Sequence, residues 1–430
     1  MTGATATLCK TAGGQRSSIA TSMPQFSSRY EHYGTQSERA MRAAVGFEEA
    51  ILSYGKDAAL AFDAVAADPQ WALAHAYAAA VHLFRINRAG EREALRLLAA
   101  TTACRPADAD EAIMIAAINR WARGHHEAAA ALLADLLLTR PNHLFAGKLA
   151  QHLFFSRGHV RPMLRCAEMT VSGSPHDPRS HGMLAFALDQ NGHGPAAERA
   201  ARHALGLGED PWAHHAMAHL FDSMDRHREG MEWMNRHRSA WSHCSSFLFT
   251  HNEWHGALFH LAQGDSDGAL ALFHDAVWTQ RKHHGQDQIN AISLLARIEM
   301  AGVDVGNRWQ DVADHCTPAC ADAYDGFLDL HYAYAFARAG RDDALATLIW
   351  HLTQQAECSA FIWRHNLPTA ARAVADFARG DRDAAARKFS VVGDCISQLG
   401  GSLVQQKLFF AMQGPAAELQ PERNRRLALA

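Results

Sequence analysis

Residues 124–158 read GHHEAAAALLADLLLTRPNHLFAGKLAQHLFFSRG, and this stretch decides the fold. It runs from Gly124 to Gly158, 34 residues further on, and holds two helix-forming segments separated by Pro141. A glycine easily takes the positive φ that ends a helix, and a proline halts the helix that precedes it. The stretch therefore predicts one antiparallel pair of helices, with Gly124 and Gly158 at successive turns.

The same punctuation recurs along the chain. The turns fall at Gly55, Gly90, Gly124, Gly158 and Gly192, and later at Asp225, Gly264, Gly340 and Gly380. The first four spacings are 35, 34, 34 and 34 residues. Prolines that end the second helix of a pair lie at Pro69, Pro106, Pro141, Pro175 and Pro211. This is the period of a tetratricopeptide-like repeat, and it predicts about nine to ten helical hairpins.

Small residues occupy one fixed position in these repeats. Alanine stands seven residues before a turn at Ala117, Ala185, Ala218, Ala257, Ala333 and Ala373. A small side chain at a fixed offset indicates a close approach between neighbouring helices. Since no segment alternates with the period of a strand, we predict an all-α, tetratricopeptide-like α-solenoid.

The length of 430 residues would suit two or three ordinary domains, but a repeat array builds one continuous core. We expect a single solenoid over residues 31–415, with regular 34-residue repeats to about residue 225 and longer repeats afterwards. Residues 1–30 lack acidic side chains and are rich in serine and threonine. An organellar transit segment and a disordered tail both fit residues 1–30; we favour the tail, and expect a second tail over residues 416–430.

Composition excludes several classes of function. The formal net charge is −4 and no basic block is present, so we expect no nucleic-acid partner. The apolar runs are far shorter than the roughly 20 residues that span a bilayer, so we expect no membrane segment. Eight scattered cysteines in a long chain are typical of reduced thiols, which predicts a cytoplasmic protein.

A family resemblance appears in the second half of the chain. The segments that carry it are His215-Ala-Met-Ala-His219, Gly230-Met-Glu-Trp-Met234, Trp241, His251-Asn-Glu-Trp-His255, the run from His331 to Gly340, and Gly400–Gln406. They resemble the tetratricopeptide repeat protein 38 family over roughly residues 30–415. The chain differs from the family pattern at Glu253, usually tryptophan, and at Gln406, usually part of an Arg-Asp pair. The resemblance implies a helical solenoid and leaves the biochemical role open.

The chain contains 28 histidines, and six of them fall on one helix face. At about 100° per residue, the positions of His152, His215, His219, His251, His255 and His331 relative to their turns fall within an arc of about 100°. The first helix of each repeat lines the concave surface in this fold class, and the arc matches that surface. We therefore expect His215, His219, His251 and His255 to line one concave cavity, with Trp254 on its wall and His331 closing it.

Two functions stay open at this point. The first is a binding protein whose concave, histidine-rich surface takes a peptide, a partner protein or a small ligand. The second is an enzyme that acts on a small polar metabolite, with His215, His219, His251 and His255 as acid–base groups. The candidate ligand-binding residues for either function are Trp254, His331, His152, Asp222, Tyr334, Asn252 and Arg179.

Histidine pairs at i, i+4 can also share a metal ion. The pattern His-Ala-Met-Ala-His lacks the glutamate of a His-Glu-x-x-His metalloprotease helix, and no carboxylate completes the set unless Asp222 or Glu253 turns inward. We expect no cofactor, and keep a metal ion at His215, His219, His251 and His255 as the alternative. Each pair also has a purely structural explanation, as buried histidines satisfied by backbone or tyrosine partners.

Overall fold

The protein was studied as a computed structural model that describes residues 34–104, 106, 108–359 and 362–414. The tails expected at residues 1–30 and 416–430 lie outside the described residues. The described residues form an all-α, tetratricopeptide-like solenoid, and the sole β-pairing among them is an isolated bridge between Gly55 and Cys244. None of the described helices is both long and apolar enough to cross a bilayer.

The first five repeats are regular hairpins. Their helices are α1 Glu38–Leu52, α2 Leu60–Ala67, α3 Ala72–Leu83, α4 Arg88–Ala100, α5 Ala109–Ala122, α6 His126–Thr139, α7 Leu144–Phe155, α8 Val160–Gly173, α9 Pro178–Gln190 and α10 Gly194–Leu207. Consecutive helices pack antiparallel, since each buries its apolar face only against its neighbours.

The second half continues the array with longer connections. Its helices are α11 Pro211–Ser223, α12 His227–His237, α13 Ser246–Ala262, α14 Ser266–Leu272, α15 Gly285–Met300, α16 Arg308–Cys316, α17 Gly326–Ala339, α18 Asp342–Glu357, α19 Ile362–Ala378, α20 Arg382–Val392 and α21 Leu403–Met412. The described residues thus contain ten hairpins followed by one unpaired helix. Two apolar cores run through the array, and α13 contributes side chains to both.

The turn residues agree with the predicted punctuation from the third hairpin onward. Positive φ occurs at Gly124, Gly158, Gly192, Asp225, Gly264, Gly340 and Gly380. The prediction was wrong at the first two turns. There Tyr54 and Ile86 take the positive φ, while Gly90 lies inside α4, where an added Cβ would sit 2.3 Å from the carbonyl oxygen of His82. Gly90 therefore serves a close helix approach rather than a turn.

The alanine positions are confirmed as contact points. Ala117, Ala185, Ala218, Ala257, Ala333 and Ala373 are all fully buried. A methyl group at each of these positions lets a first helix lie directly against its neighbour, as the fixed offset predicted.

The C-terminal segment, residues 393–412, crosses the concave side of the solenoid. The backbone N–H of Leu403 donates to Gln190 on α9 at 3.1 Å, and Arg297 on α15 donates to the carbonyl of Val404 at 2.8 Å. Phe409 packs against Phe327 on α17, with ring centroids 5.7 Å apart. The partners come from the first helices of several hairpins, which form the concave wall. The segment therefore covers surface that would otherwise be an open groove.

The N-terminal hairpin also reaches the middle of the chain. The N–H of Ser245 donates to the carbonyl of Tyr54 at 2.5 Å, and Lys56 donates to the carbonyl of Ser242 at 2.7 Å. Arg88 at the start of α4 donates to the carbonyl of Asp322 at 3.3 Å. Together with the C-terminal segment, these contacts partly enclose an interior space.

Candidate functional site

Four buried histidines meet where α11 and α13 lie side by side. His215 and His219 project from α11, and His251 and His255 from α13; each pair is spaced i, i+4 and so shares one helix face. The ring centroids of His215 and His219 are 4.5 Å apart, and those of His219 and His255 are 4.6 Å apart. One ring nitrogen from each of the four lies within 4.8 Å of the others. We call these residues the histidine quartet.

Local sequence fixes this arrangement. Asp210 caps the N-terminus of α11 by accepting from the N–H of Trp212 at 3.1 Å, and Pro211 occupies the first turn. These two features set where α11 begins, and so which face carries the histidines. Ala218 and Ala257 are fully buried, which brings the two helices close enough for the imidazoles to meet.

Hydrogen bonds orient part of the quartet. Asn290 on α15 uses its amide nitrogen to donate to Thr250 at 3.1 Å, so its oxygen accepts from the Nδ1–H of His251 at 2.8 Å. This bond leaves the Nε2 lone pair of His251 free. The Nδ1 of His219 lies 3.6 Å from a carboxylate oxygen of the buried Asp189. Asn290 thus orients His251 by a hydrogen bond, whereas Asp189 lies near His219 without a hydrogen bond to it.

The remaining nitrogens are poorly satisfied. The Nε2 atoms of His215 and His219 face each other at 3.0 Å. Within the described residues, the Nδ1 atoms of His215 and His219 and both ring nitrogens of His255 have no hydrogen-bond partner. Buried polar groups without partners are costly, so the quartet is incomplete as a hydrogen-bond network.

Burial keeps the quartet neutral. Desolvation lowers the pKa of His251 to about 4, and it lowers the pKa of His215, His219 and His255 well below the usual value for histidine. Repulsion between the four imidazoles pushes three of these pKa values in the same direction. Neutral imidazoles offer lone pairs at physiological pH, but they are weak bases when their pKa is so low.

A second layer supports the quartet from outside. Trp254 stacks on His251 with centroids 5.1 Å apart, and the guanidinium of Arg297 lies 5.4 Å above the Trp254 ring. Trp254 is fully buried and does not line the large cavity beside the quartet. It therefore holds the position of His251 rather than forming a cavity wall.

His215, His219 and His251 open onto a large cavity, which we call the concave chamber. Its volume is about 1290 Å³. Its aromatic lining consists of Tyr54, Phe62, Phe84, Phe155, Phe186, Trp212, Phe247 and Phe327. Its cationic lining consists of Lys56, Arg85, Lys148, Arg281 and Lys282. Among the described residues that line the chamber, Asp325 is the single acid, although the whole chain carries a net charge of −4. The chamber is therefore locally cationic.

Lys148 on α7 is the most unusual of these cations. It is buried, and its Nζ lies 4.0 Å from the ring centroid of Tyr54 and 4.4 Å from that of Trp212. Burial lowers the pKa of Lys148 and raises the pKa of Asp210, which is also buried. The two rings stack on each other with centroids 4.7 Å apart, and the amine lies beside this pair. There cation–π attraction favours the charged form of the amine and desolvation opposes it.

The structure separates the predicted ligand-binding residues into two groups. His152 lines the chamber, with its ring against Phe84 and Trp121 at 5.2 and 5.6 Å. His331 does not reach the quartet; its Nδ1 donates to the carbonyl of Phe327 at 2.8 Å, and its ring packs on Phe409. The intervening helix α15 places Asn290 beside His251, which is the place expected for His331.

The other candidates have partners outside the chamber. Asp222 pairs with Lys407, Arg179 pairs with Asp177 and Glu49, and Tyr334 packs against Trp309. Asn252 is fully buried but does not line the chamber. Glu253 turns away from the quartet and accepts from Arg238 at 2.8 Å. The carboxylate nearest to the quartet is that of Asp189, which no spacing in the sequence singled out.

Sequence reasoning missed three further polar residues. Lys148 falls in the same angular arc as the histidines but was not selected, and Gln151 lines the chamber beside it. Asn290 contacts His251 from a helix in the irregular half of the array. A lysine in the otherwise largely apolar helix α7 was the available signal for Lys148. Asn290 gave no such signal, because α15 carries several other polar residues.

No protein-family model matches the chain. Among solved structures, the chain is similar to a human IFIT1 dimer with PPP-AAAA, at 13% identity and a TM-score of 0.36, covering 82% of this chain and 88% of that chain. It is also similar to the TPR domain of P58(IPK), at 12% identity and a TM-score of 0.22, covering 89% of this chain and 88% of that chain. The fold of this chain rests on its own helical hairpins, described above.

Proposed function

We propose that this protein is a helical-repeat binding protein whose ligand is an anionic small molecule with an aromatic or apolar part, held in the concave chamber. The observation that carries the proposal is the cationic lining of a chamber partly covered by the C-terminal segment. Among the described residues, five cations and one acid line it, whereas acids outnumber cations in the chain as a whole. Lys282 is paired with Asp311 at 2.8 Å, which leaves Lys56, Arg85, Lys148 and Arg281 as the other cations. Cations in a confined, apolar space attract an anion more strongly than they would in water.

A small ligand suits the chamber better than a peptide. A peptide groove needs an open concave surface along many repeats. Here helix α21 packs on α11, α15 and α19, and thereby takes a part of that surface. The space that remains is about 1290 Å³ and is ringed by aromatic side chains, which suits a compact molecule with a flat apolar portion.

The resemblance to the tetratricopeptide repeat protein 38 family supports a shared site. The residues that carry it include all four members of the quartet, and these four converge at one place beside the chamber. We propose that this segment marks membership of that family, and that its histidines are retained for the site rather than for the repeat.

An enzyme is the second candidate, and one observation favours it. A buried amine and several neutral imidazoles share one chamber. Because burial lowers the histidine pKa values so far, the quartet is a poor general base, and Lys148 is the group better suited to proton transfer or nucleophilic attack near neutral pH. In this version of the function, the anionic ligand would be a substrate.

The proposal is tested with two matched fluorescent probes. Anilinonaphthalene sulfonate is an aromatic anion, and phenylnaphthylamine is the same ring system without the sulfonate. We expect one molecule of the anionic probe to bind per chain. Lys148→Met should lower the affinity for this probe about 10- to 100-fold, which corresponds to the free energy of a hydrogen bond to a charged group. The neutral probe should bind wild type and Lys148→Met equally.

Lys388→Met is the matched control, because Lys388 on α20 pairs with Asp376 and does not line the chamber. It should leave both probes unaffected. Equal binding of the anion to wild type and Lys148→Met, in variants that melt cooperatively, would refute an anion site in the chamber.

A further inference from the structure

The histidine quartet has the donor atoms of a metal site. A tetrahedral zinc ion with bonds of about 2.0–2.1 Å holds its ligand nitrogens about 3.3 Å apart. In the quartet, the Nε2 atoms of His215 and His219 are 3.0 Å apart, and one nitrogen from each of the four lies within 4.8 Å of the others. Small rotations of the imidazoles are therefore enough to bring four nitrogens around one ion.

The polar groups outside the quartet, one hydrogen-bonded to His251 and one near His219, fit a metal site. A metal-bound imidazole commonly donates its other N–H to a carbonyl-type oxygen or a carboxylate, which fixes the ring and its tautomer. His251 donates its Nδ1–H to Asn290, and Nδ1 of His219 faces Asp189 at 3.6 Å. Both arrangements direct Nε2 toward the interior of the quartet.

The ring nitrogens without hydrogen-bond partners also support a metal site. Each quartet residue is at most 3% exposed, so water is largely excluded. A proton shared between His215 and His219 satisfies one contact, but it leaves both nitrogens of His255 without a partner. A single cation would accept one lone pair from each of the four rings, and would so give His255 a partner for one of its two nitrogens.

We infer that the histidine quartet binds one divalent transition-metal ion, of the zinc, cobalt, nickel and copper group. Four neutral imidazoles without a carboxylate select these ions over magnesium and calcium, which prefer oxygen ligands. Because His215, His219 and His251 also line the chamber, the ion would be reached from it. The inference does not depend on the chamber ligand, since the metal alone is the probe.

One other histidine group in the described residues provides a control. Glu209, His214 and His237 also lie within 4.8 Å of one another. However, Glu209 is exposed, and His214 is held by Trp241, whose indole N–H donates to Nδ1 at 3.4 Å. This group lacks the outer oxygen partners of the quartet. His237→Ala therefore removes a partly buried histidine from this second cluster without touching the proposed ligands.

The experiment is a cobalt titration of the full chain after treatment with a chelator. Wild type and His237→Ala should each bind one Co²⁺ per chain, with the intense visible bands of tetrahedral coordination, and Zn²⁺ should abolish the bands by displacement. His219→Ala/His255→Ala should lose the bands. Asn290→Ala should weaken binding about 10- to 100-fold, as expected for loss of an outer partner.

Wild-type protein that melts cooperatively and yet gives no tetrahedral cobalt spectrum would overturn the inference. So would an unchanged spectrum in His219→Ala/His255→Ala. Asn290→Ala and the wild-type titration keep the test decisive even if the double variant fails to fold.

Discussion

Leu403 donates its backbone N–H to the side-chain oxygen of Gln190 at 3.1 Å, across 213 residues of sequence. This bond ties the last described helix, α21, to the concave face of the fifth hairpin. An ordinary repeat contacts only its neighbours, so a bond of this span shows that the C-terminal segment folds back onto the solenoid. This segment partly covers the concave face, and the partial closure turns a groove into a chamber.

The first prediction tests that closure. Phe409 on α21 is fully buried between Phe327 and His331. Phe409→Ala should lower the free energy of unfolding by about 3–5 kcal/mol, because it removes a large side chain and leaves a cavity. Trp350→Ala is the control, since Trp350 is 58% exposed, and it should have little effect. Equal thermal midpoints for both variants would show that α21 is not docked on the concave face.

The second prediction tests the register of the repeats. Ala218→Leu and Ala257→Leu should each destabilise the protein by about 1–3 kcal/mol, because both alanines are fully buried at helix contacts. Ala131→Leu is the matched control on an exposed position of α6. Chemical denaturation of the three variants gives the comparison. Unchanged unfolding for Ala218→Leu and Ala257→Leu would invalidate the packing that brings the quartet together.

The third prediction concerns the effect of metal on stability. A ligand that binds only the folded state stabilises it by about 2.7 kcal/mol at a hundredfold excess over its Kd. Zn²⁺ should therefore raise the thermal midpoint of chelator-treated wild type. The midpoint of His219→Ala/His255→Ala should not rise. A rise of the same size in this variant would place the zinc elsewhere.

The fourth prediction concerns pH. Burial lowers the pKa of Lys148, so between its folded pKa and its usual value the unfolded chain binds more protons. The free energy of unfolding therefore decreases as pH falls through that window, and it increases as pH rises. Asp210 has a raised pKa, so its contribution changes in the opposite sense, falling as pH rises above the usual value for an aspartate.

Denaturation curves of wild type and Lys148→Met over the alkaline range test this linkage. The difference in unfolding free energy should change with pH in favour of wild type as pH rises. Lys388→Met should run parallel to wild type. A pH-independent difference between wild type and Lys148→Met would contradict the lowered pKa.

Parts of this structure follow from local sequence and parts do not. The spacing of Gly124, Gly158 and Gly192 predicts the hairpins. These helix ends need a positive φ, and glycine adopts it without the steric strain that most other residue types incur. The i, i+4 spacing of His215 and His219 predicts a shared face, because helix geometry is fixed. These features are local and periodic, so the sequence alone displays them.

The missed features depend on contacts between distant segments. Nothing periodic relates Gln190 to Leu403 or His251 to Asn290, so the closure of the chamber and the orientation of the quartet could not be read from spacing. The same holds for His331, which shares the angular arc of the quartet but lies two hairpins further along. An angle on a helix specifies a direction, whereas a cavity also depends on how far the array advances per repeat.

The most direct test of the central claim is calorimetry of anilinonaphthalene sulfonate binding at pH 8, in two buffers with different ionisation enthalpies. In the free protein burial disfavours the charged form of Lys148, and an anion beside it would raise its pKa. Wild type should therefore take up protons on binding, so that the measured enthalpy differs between the buffers, and Lys148→Met should show no such difference. Proton uptake that is unchanged in Lys148→Met, or absent from wild type, would contradict an anion held at Lys148 in the concave chamber.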